Sequence, residues 1–311
     1  SPNIGELYAG ATGSAPQASD PCVGLSAAQL AAHAAACQNV PVNYAGTGLS
    51  QMTGVVSGSV SAGVNLKPEH GKSYDYGFVY DPSFAPGFSF EADLWRVTLD
   101  DTITPILAST VLNSCFANNT SPFCDLIHRT VAGDISYIQE PTVNLGSLYT
   151  KGIDSSIKYK IPHFDVFGQN YGDLTASLDS TYLIAYNNDT APGQPGDQVF
   201  YMAGHYNNQY GNYSRWRGLA QLNWTNGPWN VNYTMRYVGA VTVGWNDLRE
   251  GVTADPNGPS RELKADAQIY HNLAIGYNLA ADHTRLDVGV NNLFDKQPPL
   301  LYHNNVLNSN T

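Results

Sequence analysis

The feature that most constrains this chain is a period of two that runs through two adjoining segments, Tyr213 to Trp224 and Trp229 to Val238, joined by Thr225-Asn226-Gly227-Pro228. In the second segment Trp229, Val231, Tyr233, Met235 and Tyr237 share one parity, and Asn230, Asn232, Thr234 and Arg236 share the other. Alternation of this kind predicts a strand with one apolar and one polar face. In the first segment Trp216, Gly218, Ala220, Leu222 and Trp224 oppose Arg215, Arg217, Gln221 and Asn223, and the Asn-Gly turn predicts a hairpin. A soluble sandwich shows water its charged face. A membrane barrel inverts that arrangement, with apolar residues toward lipid, a polar lumen, and aromatic girdles at both interfaces.

The same pattern recurs along the chain. Tyr74, Tyr76, Phe78 and Tyr80 oppose Ser73, Asp75 and Gly77; Phe88, Phe90, Ala92 and Leu94 oppose Ser89, Glu91 and Asp93. At Leu94-Trp95 the apolar phase shifts so that Trp95, Val97 and Leu99 continue it, which predicts a β-bulge. A polar loop is expected from about Ile103 to Thr142, followed by strands over Leu145–Tyr159, Leu174–Tyr182, the hairpin, Ala267–Leu279 and Leu286–Val290. The predicted fold is all-β: an antiparallel transmembrane β-barrel segment of about eight meandering strands. Connections at Asp81–Gly87, Ile161–Gly172, Thr225–Pro228 and Ala280–His283 are short, and every other connection is long. Short turns at one rim and long loops at the other predict periplasmic turns and extracellular loops. No apolar run of about 18 residues exists, which excludes a transmembrane helix and leaves a barrel open. The net charge of -11 argues against a nucleic-acid surface.

Ser1 to about Gly71 is rich in Gly, Ser, Ala and Pro and lacks alternation, so residues 1–71 are expected to be a long extracellular loop and 72–311 the barrel portion. Ser26 is placed to cap a short helix running through Ala27-Ala28-Gln29-Leu30 toward Cys37. Cys22 with Cys37, and Cys115 with Cys124, form two local pairs that predict disulfides and an oxidising compartment. Neither pair has zinc-site spacing, and His33, His128, His205, His283 and His303 are scattered, so no metal or other cofactor is expected.

Three segments carry a family resemblance. Asn65-Leu66-Lys67-Pro68-Glu69 with Ser73, Tyr74 and Gly77 resembles the Asn-Pro-x-Leu-x-Pro-Glu segment that leads into a strand of TonB-dependent outer-membrane receptor barrels. Val290-Asn291-Asn292-Leu293-Phe294-Asp295 is similar to the Val-x-Asn-Leu-Phe-Asp segment near their carboxyl end, and Pro2-Asn3-Ile4-Gly5-Glu6-Leu7-Tyr8 resembles the opening of one of their long external loops. The resemblance implies a barrel of about 22 strands closed around an amino-terminal plug, with energy coupling through the TonB complex. The plug and the final aromatic-terminated strand have no counterpart between Ser1 and Thr311, so a fragment with two unpaired strand edges is expected. The implied partners are outer-membrane lipid, the plug and remaining strands, TonB, and an extracellular ligand.

The implied function is uptake of a scarce nutrient such as a ferric siderophore. Candidate ligand-binding residues are the loop aromatics Tyr201, Tyr206, Tyr210 and Trp245, which suit stacking. Arg215, Arg217 and Arg236 suit an anion, against the plainer expectation that they pair with Asp179 and Asp287. The chain has no Gly-x-Ser-x-Gly, His-Glu-x-x-His or phosphate-binding glycine loop, and an enzyme is not expected. A barrel hydrolase and a non-transporting adhesin or secreted lectin are the competing readings.

Overall fold

The computed structural model describes residues 1–16, 18–46, 52–207, 211–243, 263–279 and 284–299. Eight strands form a meander: β1 (His70–Tyr80), β2 (Phe88–Pro105), β3 (Ile135–Ile161), β4 (Asp173–Asp189), β5 (Trp216–Asn226), β6 (Trp229–Val238), β7 (Gln268–Leu279) and β8 (Thr284–Val290). Each pairs with its neighbours in sequence. Among the described residues β1 pairs with β2 alone and β8 with β7 alone, so the sheet is open at both edges, as expected of a partial barrel. The predicted turn between β7 and β8, Ala280–His283, lies outside the described residues.

The chain divides into two compact units. One comprises Ser73–Val97, Tyr149–Asn187 and Tyr201–Thr311. Its hairpin β5–β6 closes on Gly227, whose φ of 53° a β-branched residue would not tolerate, and pairs Asn226 with Trp229. The register keeps the two faces pure across four strands: Leu222 lies between Ala176 and Tyr233, Tyr233 meets Leu273, and Leu273 meets Val290. Among the described residues nothing covers this apolar face. Leu178 is 42% exposed, Leu222 41%, Ile275 40% and Val288 73%. Within this unit the buried apolar side chains are few: Met202, Ala203, Val241 and Ala265.

The other unit comprises Ser1–Lys72, Thr98–Leu148 and Asn188–Phe200, and it is built the opposite way. Its core of Ile106, Val111, Leu112, Cys115 and Ile138 is almost wholly buried. Strand Gly54–Ser57 runs parallel to the first part of β3, and Thr12–Ser14 adds antiparallel to it. Three helices are α1 (Ile4–Tyr8), α2 (Ala27–Ala32) and α3 (Ala108–Ala117). Ser26 and Gln29 form the capping box of α2, and the helix stops short of Cys37 because His33 turns to stack on Phe116 at 3.7 Å. Disulfides join Cys22 to Cys37 and Cys115 to Cys124. Arg129 ties the unit together: it pairs with Asp20 at 2.7 Å and donates to the carbonyls of Ala36 and Gly133.

The polar loop expected from Ile103 to Thr142 is shorter, because β2 continues to Pro105 and β3 begins at Ile135, with α3 between them. The extra length of β3 comes from pairing with Gly54–Ser57, remote in sequence, and with Ile127–Arg129, which precedes it by a short turn. α3 lacks a capping side chain of its own at Leu107. The buried carboxylate of Glu140 supplies the cap by accepting from the Ala108 N–H at 3.2 Å, while Ser14 Oγ donates to it at 2.5 Å. Burial pushes this carboxyl above its ordinary range, and the two bonds oppose that.

The expected bulge at Leu94-Trp95 is absent. Phe90 meets Phe78 and Arg96 meets Tyr149 on one face, while Asp93 lies against Gly77 and Trp95 against Gly152 on the other. Parity therefore runs unbroken through Trp95. The glycines explain it: Gly152 leaves a site for an indole on the polar face, where the sequence pattern alone assigns an aromatic to the apolar one. The irregular residue of β2 is Asp101, at φ 57°.

The Arg129→Ala substitution leaves Asp20 buried and unpaired, and is expected to destabilise the chain by about 3–5 kcal/mol, measured by denaturant unfolding in detergent. A second expectation concerns the loop after β4. The Ala191 N–H donates to both Asp189 at 3.3 Å and Asp197 at 3.1 Å. Burial first, and then Asp197, push the Asp189 carboxyl up from 3.8 to about 6. A raised acid stabilises the folded loop below its ordinary range and loses that contribution as pH rises through about 6. Protection of the Ala191 amide, taken relative to its intrinsic exchange rate at each pH, should therefore fall across that window, and Asp197→Asn should flatten the response.

Candidate functional site

The candidate site is the polar face of β5 to β8, within the unit that holds these strands. Period two puts Asn223, Asn232 and Asn272 on that face together, because the register pairs Asn223 with Asn232 and places Thr234 opposite Asn272. Asn232 Nδ2 donates to Asn223 Oδ1 at 2.5 Å, and Thr234 Oγ1 donates to Asn232 Oδ1 at 3.0 Å. Asn272 Oδ1 accepts the Asn292 N–H at 2.9 Å, which folds the Asn-Leu-Phe-Asp segment back over β7. Lower on the same face Arg285 pairs with Asp287 at 2.8 Å and reaches Asn230 Oδ1 at 3.4 Å. The result is a surface of amide and hydroxyl groups with one exposed ion pair, suited to hydrated or hydrogen-bonding contents and unsuited to lipid.

On β2 and β3 this face carries a different feature. A Cβ at Gly152 would lie 2.4 Å from Trp95 Cζ2 and 3.0 Å from the Tyr182 carbonyl, so only glycine admits the indole there. Trp95 Nε1 and Asp154 Oδ1 are both buried on this face without a hydrogen-bond partner among the described residues. Ser156 Oγ donates to Asp179 at 2.8 Å.

The candidate arginines are placed differently from the carboxylate pairing expected of them. Asp287 pairs with Arg285 and Asp179 with Ser156, and neither takes Arg215, Arg217 or Arg236 among the described residues. Arg215 instead donates to the carbonyls of Ile184 at 2.7 Å and Leu183 at 3.3 Å, and Arg217 to the carbonyl of Asn212. Both stand at or just before the start of β5, within reach of backbone carbonyls of β4 and of Asn212, which satisfy the guanidinium donors without an acid. Arg236 lies 5.1 Å over the ring of Tyr270.

Of the aromatic candidates, Tyr201 ends the short strand Val199–Tyr201 and is 37% exposed. Tyr206 sits on His205–Asn207, which pairs with Gly211–Asn212 and Val241–Val243, and it packs against Val241 and Ala265. Tyr210 and Trp245 lie outside the described residues. The structure therefore brings Tyr206 onto a small sheet of its own, holds Arg215 and Arg217 on backbone carbonyls, and sets Arg236 over Tyr270 on the neighbouring strand. The Asn223–Asn232–Thr234 ladder and the Trp95–Gly152 contact were not singled out from the sequence. The first was available from the hairpin register, and the second needed the neighbouring strand.

Gly152→Val forces the indole or the β4 backbone to move. A loss of about 1–3 kcal/mol is expected, together with a shift in tryptophan fluorescence that Trp95→Phe abolishes.

No curated protein matches the chain in sequence. Solved structures similar to it include a point mutant of the ferric enterobactin receptor PfeA of Pseudomonas aeruginosa in complex with enterobactin, at TM-score 0.52 and 16% identity, covering 95% of this chain and 32% of that one. The FrpB iron transporter of Neisseria meningitidis gives TM-score 0.48 and 16% identity, covering 78% of this chain and 29% of that one. The siderophore receptor PirA of Acinetobacter baumannii gives TM-score 0.48 and 12% identity, covering 81% and 31%. The chain thus spans about a third of the length of each of these proteins. The likeness to PfeA concerns the fold alone. The family model described as TonB dependent receptor-like, beta-barrel matches residues 1–293, and with its open antiparallel meander and inverted faces the chain belongs to that family.

Proposed function

We propose that this chain forms part of an outer-membrane active-transport receptor that takes up a scarce, large nutrient, with a ferric siderophore as the leading ligand class. The observation that carries the reading is the exposed apolar face of β4 to β8, where Leu222, Ile275, Leu286 and Val288 stand at 40% exposure or more with no second layer over them among the described residues. Water penalises such a face and hydrocarbon does not. The likeness in fold to PfeA, a ferric enterobactin receptor, supports the ligand class.

In this reading residues 1–71 belong to the extracellular side and 72–311 to the barrel. The polar face lines a lumen shared with an amino-terminal plug, through which TonB acts. Tyr201, Tyr206, Tyr210 and Trp245 contact the ligand as stacking groups, and Arg236 offers the charge. Arg215 and Arg217 serve the same loops by holding their backbone in place. The work is capture and gated passage, with no bond made or broken in the ligand.

A strain lacking the gene, grown under iron limitation on a panel of ferric siderophores and on a panel of carbon sources, tests this. Growth on one ligand should be lost and restored by the wild-type gene, and the protein should sediment with outer membranes and require detergent for extraction. Unchanged growth on every ligand, or a protein soluble without detergent, would overturn it.

A further inference from the structure

The apolar face carries an exception that lipid contact alone does not explain. The Gly87 carbonyl accepts from the Lys160 N–H at 2.8 Å, Phe88 meets Tyr159 at 6.3 Å, and Trp95 lies over Gly152. All three contacts belong to a single antiparallel register of β2 and β3, and that register sets Arg96 directly opposite Lys151. Parity puts both side chains on the apolar face, with Phe88, Phe90 and Leu94 on one strand and Ile153, Ile157 and Tyr159 on the other. The guanidinium of Arg96 confirms its side by lying 5.2 Å over Tyr149.

Like charges directly opposite on adjacent strands repel. No carboxylate shares this face on β1 from Tyr74 to Tyr80, on β2 from Phe88 to Arg96, or on β3 from Tyr149 to Tyr159. Among the described residues neither cation has an ion-pair partner. This occurs in a chain with 15 Lys and Arg against 26 Asp and Glu, where acids are plentiful.

The height of the pair suggests what neutralises it. Arg96 lies eight residues along β2 from Phe88. At about 3.4 Å per residue and a tilt near 45° that is about 20 Å, close to the far edge of an apolar band about 25 Å tall. Phe88 and Tyr159 mark the short-turn end of the band. Tyr182 and Trp216, 5.0 Å apart, mark the long-loop end of β4 and β5. The two cations therefore sit at the level of the long-loop girdle, where headgroups lie.

We propose that Arg96 and Lys151, flanked by Tyr149 and Tyr74, bind the headgroup phosphate of an anionic lipid in the leaflet at the long-loop end. The inference rests on the membrane reading given above. The phosphate bridges the two cations, with the guanidinium fork providing two N–H donors and the ammonium a point charge, and the tyrosines border the acyl boundary.

The test uses the full chain in neutral maltoside detergent doped with phosphatidylglycerol or with phosphatidylcholine, with retained lipid counted by native mass spectrometry. The wild type should keep phosphatidylglycerol over phosphatidylcholine by about tenfold or more, as two interfacial cations allow, and added inorganic phosphate should not displace it. Arg96→Gln with Lys151→Gln should erase that preference, Lys151→Arg should keep it, and Lys158→Gln on the polar face should leave it unchanged. Equal retention by wild type and the double variant, or loss in Lys158→Gln as well, overturns the proposal. Unfolding of the double variant is checked by circular dichroism, and if it occurs the single Lys151→Gln variant gives the same decision. A chain that stays monodisperse with detergent removed instead overturns the membrane reading, and the lipid site with it.

Discussion

Everything in this molecule depends on a backbone ladder that satisfies strand N–H and C=O groups from neighbour to neighbour without help from water. In hydrocarbon an unpaired backbone group costs several kcal/mol, so a chain that spans lipid with strands must pair each one with the next. The in-register runs of β4 with β5, β5 with β6, β6 with β7 and β7 with β8 meet that requirement. Once the ladder exists, the period of two decides which side chains meet which solvent. The edges left on β1 and β8 are where further strands of a closed barrel belong.

The two compact units follow opposite solvent rules within one chain. The unit that includes Ser1–Lys72 hides its apolar residues and its charges alike, as the Arg129–Asp20 pair at 2% and 8% side-chain exposure shows. Buried charge of that kind is weak evidence for net stability, and its effect is to specify one arrangement of Asp20, Ala36 and Gly133 around the first disulfide. The unit that includes β5 to β8 leaves its apolar residues outside and gathers Asn, Thr and Arg on the other side. A core that must hold its shape in water and a barrel wall that must lie in lipid need these contrasting constructions.

The eight strands, the division of their faces and the two disulfides were legible in the residues, because parity and cysteine spacing are local signals. The helix Ala108–Ala117 was not legible. Its Ser, Thr, Val and Asn are indifferent helix formers, and its cap arrives from Glu140 on a distant strand. The misplaced bulge at Leu94-Trp95 has the same origin. An aromatic on the polar face looks like a change of phase until Gly152 on the next strand is seen to make room for it. Charge alone points the arginines to acidic partners, whereas the backbone carbonyls of Ile184 and Asn212 accept from Arg215 and Arg217.

Sequence alone determined that this chain forms antiparallel strands with one face for lipid and one for a polar interior, since a period of two leaves each side chain only two directions. Tertiary structure decided how far β2 and β3 extend, where α3 begins, and which polar groups meet across strands. Those outcomes depend on partners brought together from remote parts of the chain, such as Glu140 with Ala108 and Trp95 with Gly152, and no local pattern encodes the distance between them.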